Sequence, residues 1–453
     1  MLWLGPLLAL LAGVVTAQWL AIPAAITVAV ALWCILWWVT EPVPIPVTSM
    51  LPLSLFPLTG VLDSKEVAAA YGSPLIILLL GGFILSQGMS STGTHRRLAV
   101  AMVNLCRRIG GHNSERALVA GFMLAAAVLS MWISNTATTL MLLPIALAVI
   151  EKSRSPLLPL VLMLGIAYAA NVGGMGTPIG TPPNLVMVEV YRQNTGQTIG
   201  FIDWMRWGVP VVVLFVPLVM WWLTRKLGQG EPIEMPKVGD WTAAERRVLC
   251  VFGLTALLWI TRSDPFGGWS GWLGLSTAND AAVALLGAIL LFIIPDARGG
   301  RLLTWEQAVQ IPWGMLLLFA GGICIARAFN ASGLSAQLGE FFSLLTGLPV
   351  LLMMLALCLG VSFLTETTSN TATTTLLMPI LAAAAMGASI PPELLMVPAA
   401  LSASCAFMLP VATAPNAVVF SSGMVDPAKM MRIGVVLNIM GAVLIAVLLW
   451  LIL

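Results

Sequence analysis

Residues 130 to 144 read SMWISNTATTLMLLP and residues 365 to 379 read TETTSNTATTTLLMP, so the string Ser-Asn-Thr-Ala-Thr-Thr occurs twice. Hydroxyl and amide side chains compete for backbone groups, which makes them poor in helix interiors and good at helix ends. Each string lies between apolar stretches and marks a point where one helix stops and another starts within a nonpolar medium. The stopping helix offers free carbonyls, which with hydroxyl and amide oxygens suit a small hard cation. The starting helix offers free N–H groups and a positive dipole end, which suits an anion. Cation and anion can then bind side by side, each favouring the other.

Two further interruptions have the same character, NVGGMGTPIGTPPN at 171–184 and LPVATAPN at 409–416. Thr181 before Pro182 and Pro183 reads as an N-cap followed by proline in the first turn, where a missing N–H costs nothing. Thr413-Ala414-Pro415 repeats the device. No Lys or Arg stands near any of the four breaks, so bound cations would have to supply the positive charge that holds an anion. Glu366 is the one carboxylate at a tip, and an acid within a membrane is a functional candidate. It is a cation-site neighbour, a proton carrier or a structural acceptor for tip N–H groups. Asp280, Glu189 and Glu393 fall near span ends and read as interfacial.

The elements that position these breaks follow from composition. Of 453 residues, 59% are hydrophobic and 9% charged, against roughly 25% charged in a soluble domain. The chain is a polytopic all-α membrane protein. Eleven spans are expected, near 2–17, 20–40, 46–62, 74–92, 157–192, 207–224, 246–262, 280–295, 313–330, 393–421 and 431–453. Val15-Thr16-Ala17 offers small residues of the kind that precede a signal cleavage site, but the first run has no Lys or Arg before it and reads as a span. Segments 117–150 and 348–387 carry the tips. A double crossing needs about 20 apolar residues each way, so both read as re-entrant hairpins whose tips face protein or a water-filled cavity. With both hairpins re-entrant, 16 of the 21 Lys and Arg fall on one side, which places the N-terminus in the cytoplasm and the C-terminus outside.

Ser134 and Ser369 are 235 residues apart, as are Pro144 and Pro379; Gly82 and Gly322 are 240 apart, and Asn184 and Asn416 are 232 apart. One repeat accounts for all four offsets. The chain divides into an extra N-terminal span (1–19), a first repeat (20–226, hairpin 117–150, broken span 157–192), a cytoplasmic linker (227–245) and a second repeat (246–453, hairpin 348–387, broken span 393–421). Five crossings per repeat invert the second copy relative to the first, a construction of secondary transporters.

Other classes find little support. The six cysteines are scattered and read as small core residues, and His95 and His112 share one basic loop and read as solvated. No basic, aromatic-interleaved run suggests nucleic acid. A hydroxyl nucleophile needs a base within reach, and no Ser-Lys pair or HExxH string occurs, so an intramembrane enzyme is disfavoured and no organic cofactor is expected. An anion channel would not need two matched sites.

The two SNTAT tips, GTPPN at 180–184, PVATAPNAVVFSSG at 410–423 and TEPVPIPVTSMLP at 40–52 resemble the divalent anion:sodium symporter family of dicarboxylate, citrate and sulfate carriers. The resemblance covers both halves in order. It implies an elevator-type fold, a homodimer in a bacterial inner membrane, and uptake of a small divalent anion such as succinate with two or more sodium ions. It maps a first sodium site onto Ser130, Ser134, Asn135 and Gly180, and a second onto Thr365, Thr368, Ser369, Asn370 and Ala412. Substrate carboxylates would meet Asn135, Thr136, Thr181, Asn370, Thr371 and Thr413. Ala414 departs from the family, many members of which have a second proline there. Members that exchange one anion for another share the motifs, so exchange of dicarboxylates, or carriage of sulfate or another oxyanion, stays open.

Overall fold

A computed structural model describes residues 2–111, 114–228, 239–263, 267–275, 277–337 and 349–453. His112 and linker residues 229–238 lie outside them. Among the described residues the protein is a bundle of helices with a single isolated antiparallel bridge, Pro295 to Arg301. Among the described residues six helices are, by length and composition, long and apolar enough to cross a membrane, and there are shorter apolar helices besides. In a bilayer core every backbone polar group must be satisfied within the protein, which only helices do segment by segment.

One group of helices forms the surroundings of the site. Pro74–Thr92 packs on Asp280–Ile293 through Gly81 and Gly88, where an added Cβ would lie 2.6 Å from Ala284 Cβ and 2.5 Å from Leu291 Cδ1. Small residues here let the backbones approach. Trp313–Ala331 packs against the segment at 45–59, with Gly321 against the Ser49 carbonyl. That segment is two helices, Ile45–Thr48 and Met50–Thr59, joined at Ser49, where one span over 46–62 was expected. The remaining helices carry the breaks. Glu115–Ser130 turns at 131–134 into Asn135–Ile150, and Val350–Leu364 turns at 365–369 into Asn370–Gly387. Leu158–Gly173 continues as one 3-10 turn, Gly174–Gly176, then breaks before Pro182–Thr195. Glu393–Ser402 breaks before Ala414–Ser421.

The stretch read as a basic loop at 93–116 is a different object. Residues Thr94–Gly110 form an amphipathic helix with Ala99, Val100 and Val103 buried. His95 is half-buried rather than solvated, with Nδ1 2.7 Å from the Met89 carbonyl oxygen. Burial, with Arg96 beside it, holds this imidazole below its ordinary pKa despite the Met89 bond. Arg97 pairs with Glu245 at 3.0 Å and donates to the Gly239 and Asp240 carbonyls, each at 2.8 Å. This network ties the amphipathic helix to the start of Ala243–Ile260. The acids read as interfacial are also engaged. Asp280 pairs with Arg262, Glu189 with Arg192, and Glu393 accepts from Tyr191.

Candidate functional site

Each tip is locked by the same local chemistry. At the first, the Ser130 hydroxyl donates to Asn135 Oδ1 at 2.6 Å; at the second, Thr365 donates to Asn370 Oδ1 at 2.6 Å. Thr139 donates to the Asn135 carbonyl at 2.9 Å and Thr374 to the Asn370 carbonyl at 2.8 Å. The broken spans match as well. Asn184 Nδ2 donates to the Gly174 and Thr177 carbonyls at 2.9 and 2.8 Å, and Asn416 Nδ2 donates to the Ala406 and Leu409 carbonyls, each at 3.0 Å. One asparagine per loop therefore satisfies two carbonyls that a broken helix would otherwise orphan. Even the next carbonyl is met twice, Met175 by Trp204 Nε1 at 2.9 Å and Phe407 by the Tyr168 hydroxyl at 2.7 Å.

The joints between tip and loop differ. The Thr177 hydroxyl donates to the Met131 carbonyl. At the equivalent place in the second half, Glu366 accepts. Its Oε1 takes the Phe407 and Met408 N–H groups at 2.7 and 2.9 Å and Asn438 Nδ2 at 2.7 Å, and its Oε2 takes the Leu409 N–H at 3.0 Å. Glu366 thus serves the broken-span loop and the last helix, Pro427–Ile452, not the N–H groups of its own tip. Beside Met131, Trp132 stacks on Phe201 and Trp259, with ring centroids 5.9 and 6.4 Å away.

All four breaks meet at one cavity of about 810 Å³. Ser134, Asn135, Thr136, Gly180 and Thr181 line it from the first half, and Thr368, Ser369, Asn370, Thr371, Ala412 and Thr413 from the second. Ser130 and Thr365 do not line it. They sit behind Asn135 and Asn370 and fix those amides. Thr365 Oγ1 also lies 3.1 Å from the Ala403 carbonyl, and Thr368 donates to the Leu364 carbonyl at 2.9 Å. The facing wall includes Glu41, Ser86, Gln87, Ser90 and Gln310, and among the described residues no Lys or Arg lines the cavity. Gly174 admits the first tip closely, since a Cβ there would lie 2.7 Å from Asn135 Oδ1.

Capping separates residues that look alike in sequence. Ser134 accepts the Ala137 N–H at 3.2 Å, whereas Ser369 makes no side-chain cap bond. Thr413 accepts the Asn416 N–H at 3.2 Å, whereas the side chain of Thr181 caps nothing although its backbone has N-cap geometry.

Residues 35–397 match the citrate transporter family. A sodium-dependent dicarboxylate transporter of Staphylococcus saprophyticus is 39% identical over 92% of this chain and 84% of its own length, and one of Staphylococcus aureus is 37% identical with the same coverage. The chain belongs to this family. Within it the chain stands with the divalent anion:sodium symporters, and it is an integral membrane protein of a transporter family. The fold also resembles the crystal structure of the Alcanivorax borkumensis YdaH transporter, with a TM-score of 0.59 and 15% identity over 88% of this chain and 89% of that one.

Asn171 has no place among the site residues expected from sequence, yet it lines the cavity and joins the two halves. Its Nδ2 lies 3.1 Å from Thr413 Oγ1 and 3.3 Å from Asn416 Oδ1. The available signal was an amide two residues before the end of a buried apolar helix, where an unpaired polar group is costly.

Proposed function

We propose that this protein is a secondary active transporter that takes up a divalent anion, in particular a C4 dicarboxylate such as succinate, together with sodium ions. The observation that carries the reading is one cavity bounded by four helix breaks and lined, among the described residues, by no Lys or Arg. Anion affinity there comes from helix N-termini, Asn and Thr, and sodium at the carbonyl ends of the broken helices supplies the remaining positive charge. Each ion raises the affinity for the other. The printed names of the two staphylococcal relatives agree with this chemistry.

In this reading Ser130, Ser134, Asn135 and Gly180 form one sodium site and Thr365, Thr368, Ser369, Asn370 and Ala412 the other. Asn135, Thr136, Thr181, Asn370, Thr371 and Thr413 face the dicarboxylate. The halves 20–226 and 246–453 are inverted repeats, and the hairpins, broken spans and last spans slide as an elevator past the other helices within a homodimer in a bacterial inner membrane. Ser90 and Gln310 line the cavity and adjoin in sequence the basic segments at 93–116 and 296–306. With those segments in the cytoplasm, the cavity opens inward.

Uptake of labelled succinate and labelled sulfate into proteoliposomes tests the function. Uphill succinate uptake that follows an inward sodium gradient is expected. Counterflow without sodium would make the protein an exchanger, and preference for sulfate an oxyanion carrier. Orientation is tested by Ser153→Cys in a chain whose exposed Cys250 is replaced by Ser. Modification only from the cytoplasmic side is expected, and labelling from outside would remove the inversion.

A further inference from the structure

We infer that Asn171 is a positioning residue that fixes the Thr413 hydroxyl as a hydrogen-bond donor to the anion; this rests on the anion site proposed above. The argument is one of donor and acceptor bookkeeping that starts at fixed backbone groups. The Ala406 and Leu409 carbonyls can only accept, and each lies 3.0 Å from Asn416 Nδ2. Both hydrogens of that amide are therefore committed, and Asn416 must turn its Oδ1 towards Asn171, 3.3 Å away. An oxygen there obliges Asn171 to present its own NH2 group, which has two hydrogens. One goes to Asn416 Oδ1 and the other to Thr413 Oγ1 at 3.1 Å.

Thr413 Oγ1 already accepts the Asn416 backbone N–H at 3.2 Å. A threonine hydroxyl has two acceptor positions and one donor hydrogen. With both lone pairs occupied by N–H groups, the hydrogen is left over. Among the described residues no protein acceptor meets it, and Thr413 lines the cavity. Its free direction is the cavity, where a carboxylate oxygen is the complementary partner. The arrangement has a structural penalty, since Asn171 Oδ1 is buried without a hydrogen-bond partner. It also has no counterpart in the other half. Ala403 occupies the position related to Asn171 by the 232-residue offset, and Thr181 has no side-chain cap bond that would orient its hydroxyl.

Removing Asn171 frees a lone pair on Thr413 and leaves Asn416 Oδ1 without its donor. The hydroxyl can then turn to Asn416 and is lost to the substrate. Proteoliposomes with Asn171→Ala are expected to show a succinate KM raised at least about tenfold, in line with one hydrogen bond to a charged group. The sodium concentration that half-protects the substrate-free protein against thermal unfolding should stay within about twofold. Because Asn171 acts through Thr413, Asn171→Ala combined with Thr413→Val should have the KM of Thr413→Val alone. An unchanged KM in Asn171→Ala, sodium protection lost in step with KM, or additive effects in the double variant would each overturn the inference. Should Asn171→Ala not be recovered folded, Thr413→Ser should keep the wild-type KM within about threefold while Thr413→Val raises it at least tenfold. Equal values for those two would overturn it as well. A wild-type protein without sodium-driven succinate uptake defeats the proposed function instead, whatever the variants do.

Discussion

The first tip and the second share six consecutive residues but are held in place by different groups. At the first, a threonine of the broken span donates to a carbonyl of the tip, Thr177 to Met131, and Trp132 rests on the Phe201 and Trp259 rings. At the second, a carboxylate of the tip gathers three backbone N–H groups of the broken span and the Asn438 amide. Thr367, at the position related to Trp132 by the 235-residue offset, faces the cavity. The Ser-Asn-Thr string sets the local geometry of a tip, and residues just before it decide what the tip leans on. Charge-assisted bonds are the stronger kind, so the second joint is the stiffer of the two.

The largest expected effects bear on what the tips share. Asn135→Ala and Asn370→Ala should each abolish sodium-driven succinate uptake, because each amide sits between the carbonyl end of one helix and the N–H end of the next. Uptake surviving in one alone would show that the halves do not contribute equally; uptake surviving in both would make the tips structural. Next come the joints. Glu366→Ala strands three donors, leaves the Phe407 N–H only Asn438 Oδ1 at 3.3 Å, and should cost at least about 3 kcal/mol of stability, read as thermal unfolding in detergent. Thr177→Val removes one hydrogen bond and should cost about 1 kcal/mol. Equal losses would erase the distinction drawn between the joints. Gly174→Ala places a Cβ 2.7 Å from Asn135 Oδ1 and should lower stability by about 1–3 kcal/mol, with reduced uptake, since that amide must shift. The position related to it by the 232-residue offset, Ala406, already carries a Cβ. The smallest contrast is in the caps. Ser134→Ala should cost about 1 kcal/mol and Ser369→Ala much less, because only Ser134 accepts an N–H.

What was legible in the sequence was local. Polar strings stand out in an apolar chain, and helix ends and proline positions follow from rules that act over a few residues, so each expected string overlaps a break, though the fourth break spans 403–413 and opens earlier than the string at 409–416. The asymmetry was not legible, because it depends on partners far along the chain. Glu366 meets Phe407 and Asn438, and Asn171 meets Thr413 across 242 residues. No spacing rule predicts that reach. The amphipathic helix Thr94–Gly110 escaped for another reason. Its four arginines and one histidine resemble a solvated loop, and only the apolar residues between them, Ala99, Val100 and Val103, show which face is buried. Ser130 and Thr365 illustrate a third limit. Their types suit ion ligands, but the sequence does not show that each hydroxyl also donates to the amide in front of it.

The bridge from Asn171 to Asn416 bears on how such a molecule can arise. Two identical subunits meeting face to face must put the same side chain at both related positions, so an amide reaching Asn416 Oδ1 would be matched by a second reaching Asn184 Oδ1, an atom that here is buried without a partner. Asparagine at 171 with alanine at 403 is available only to a single polypeptide that encodes the two positions separately, and that freedom lets the binding chamber be lopsided.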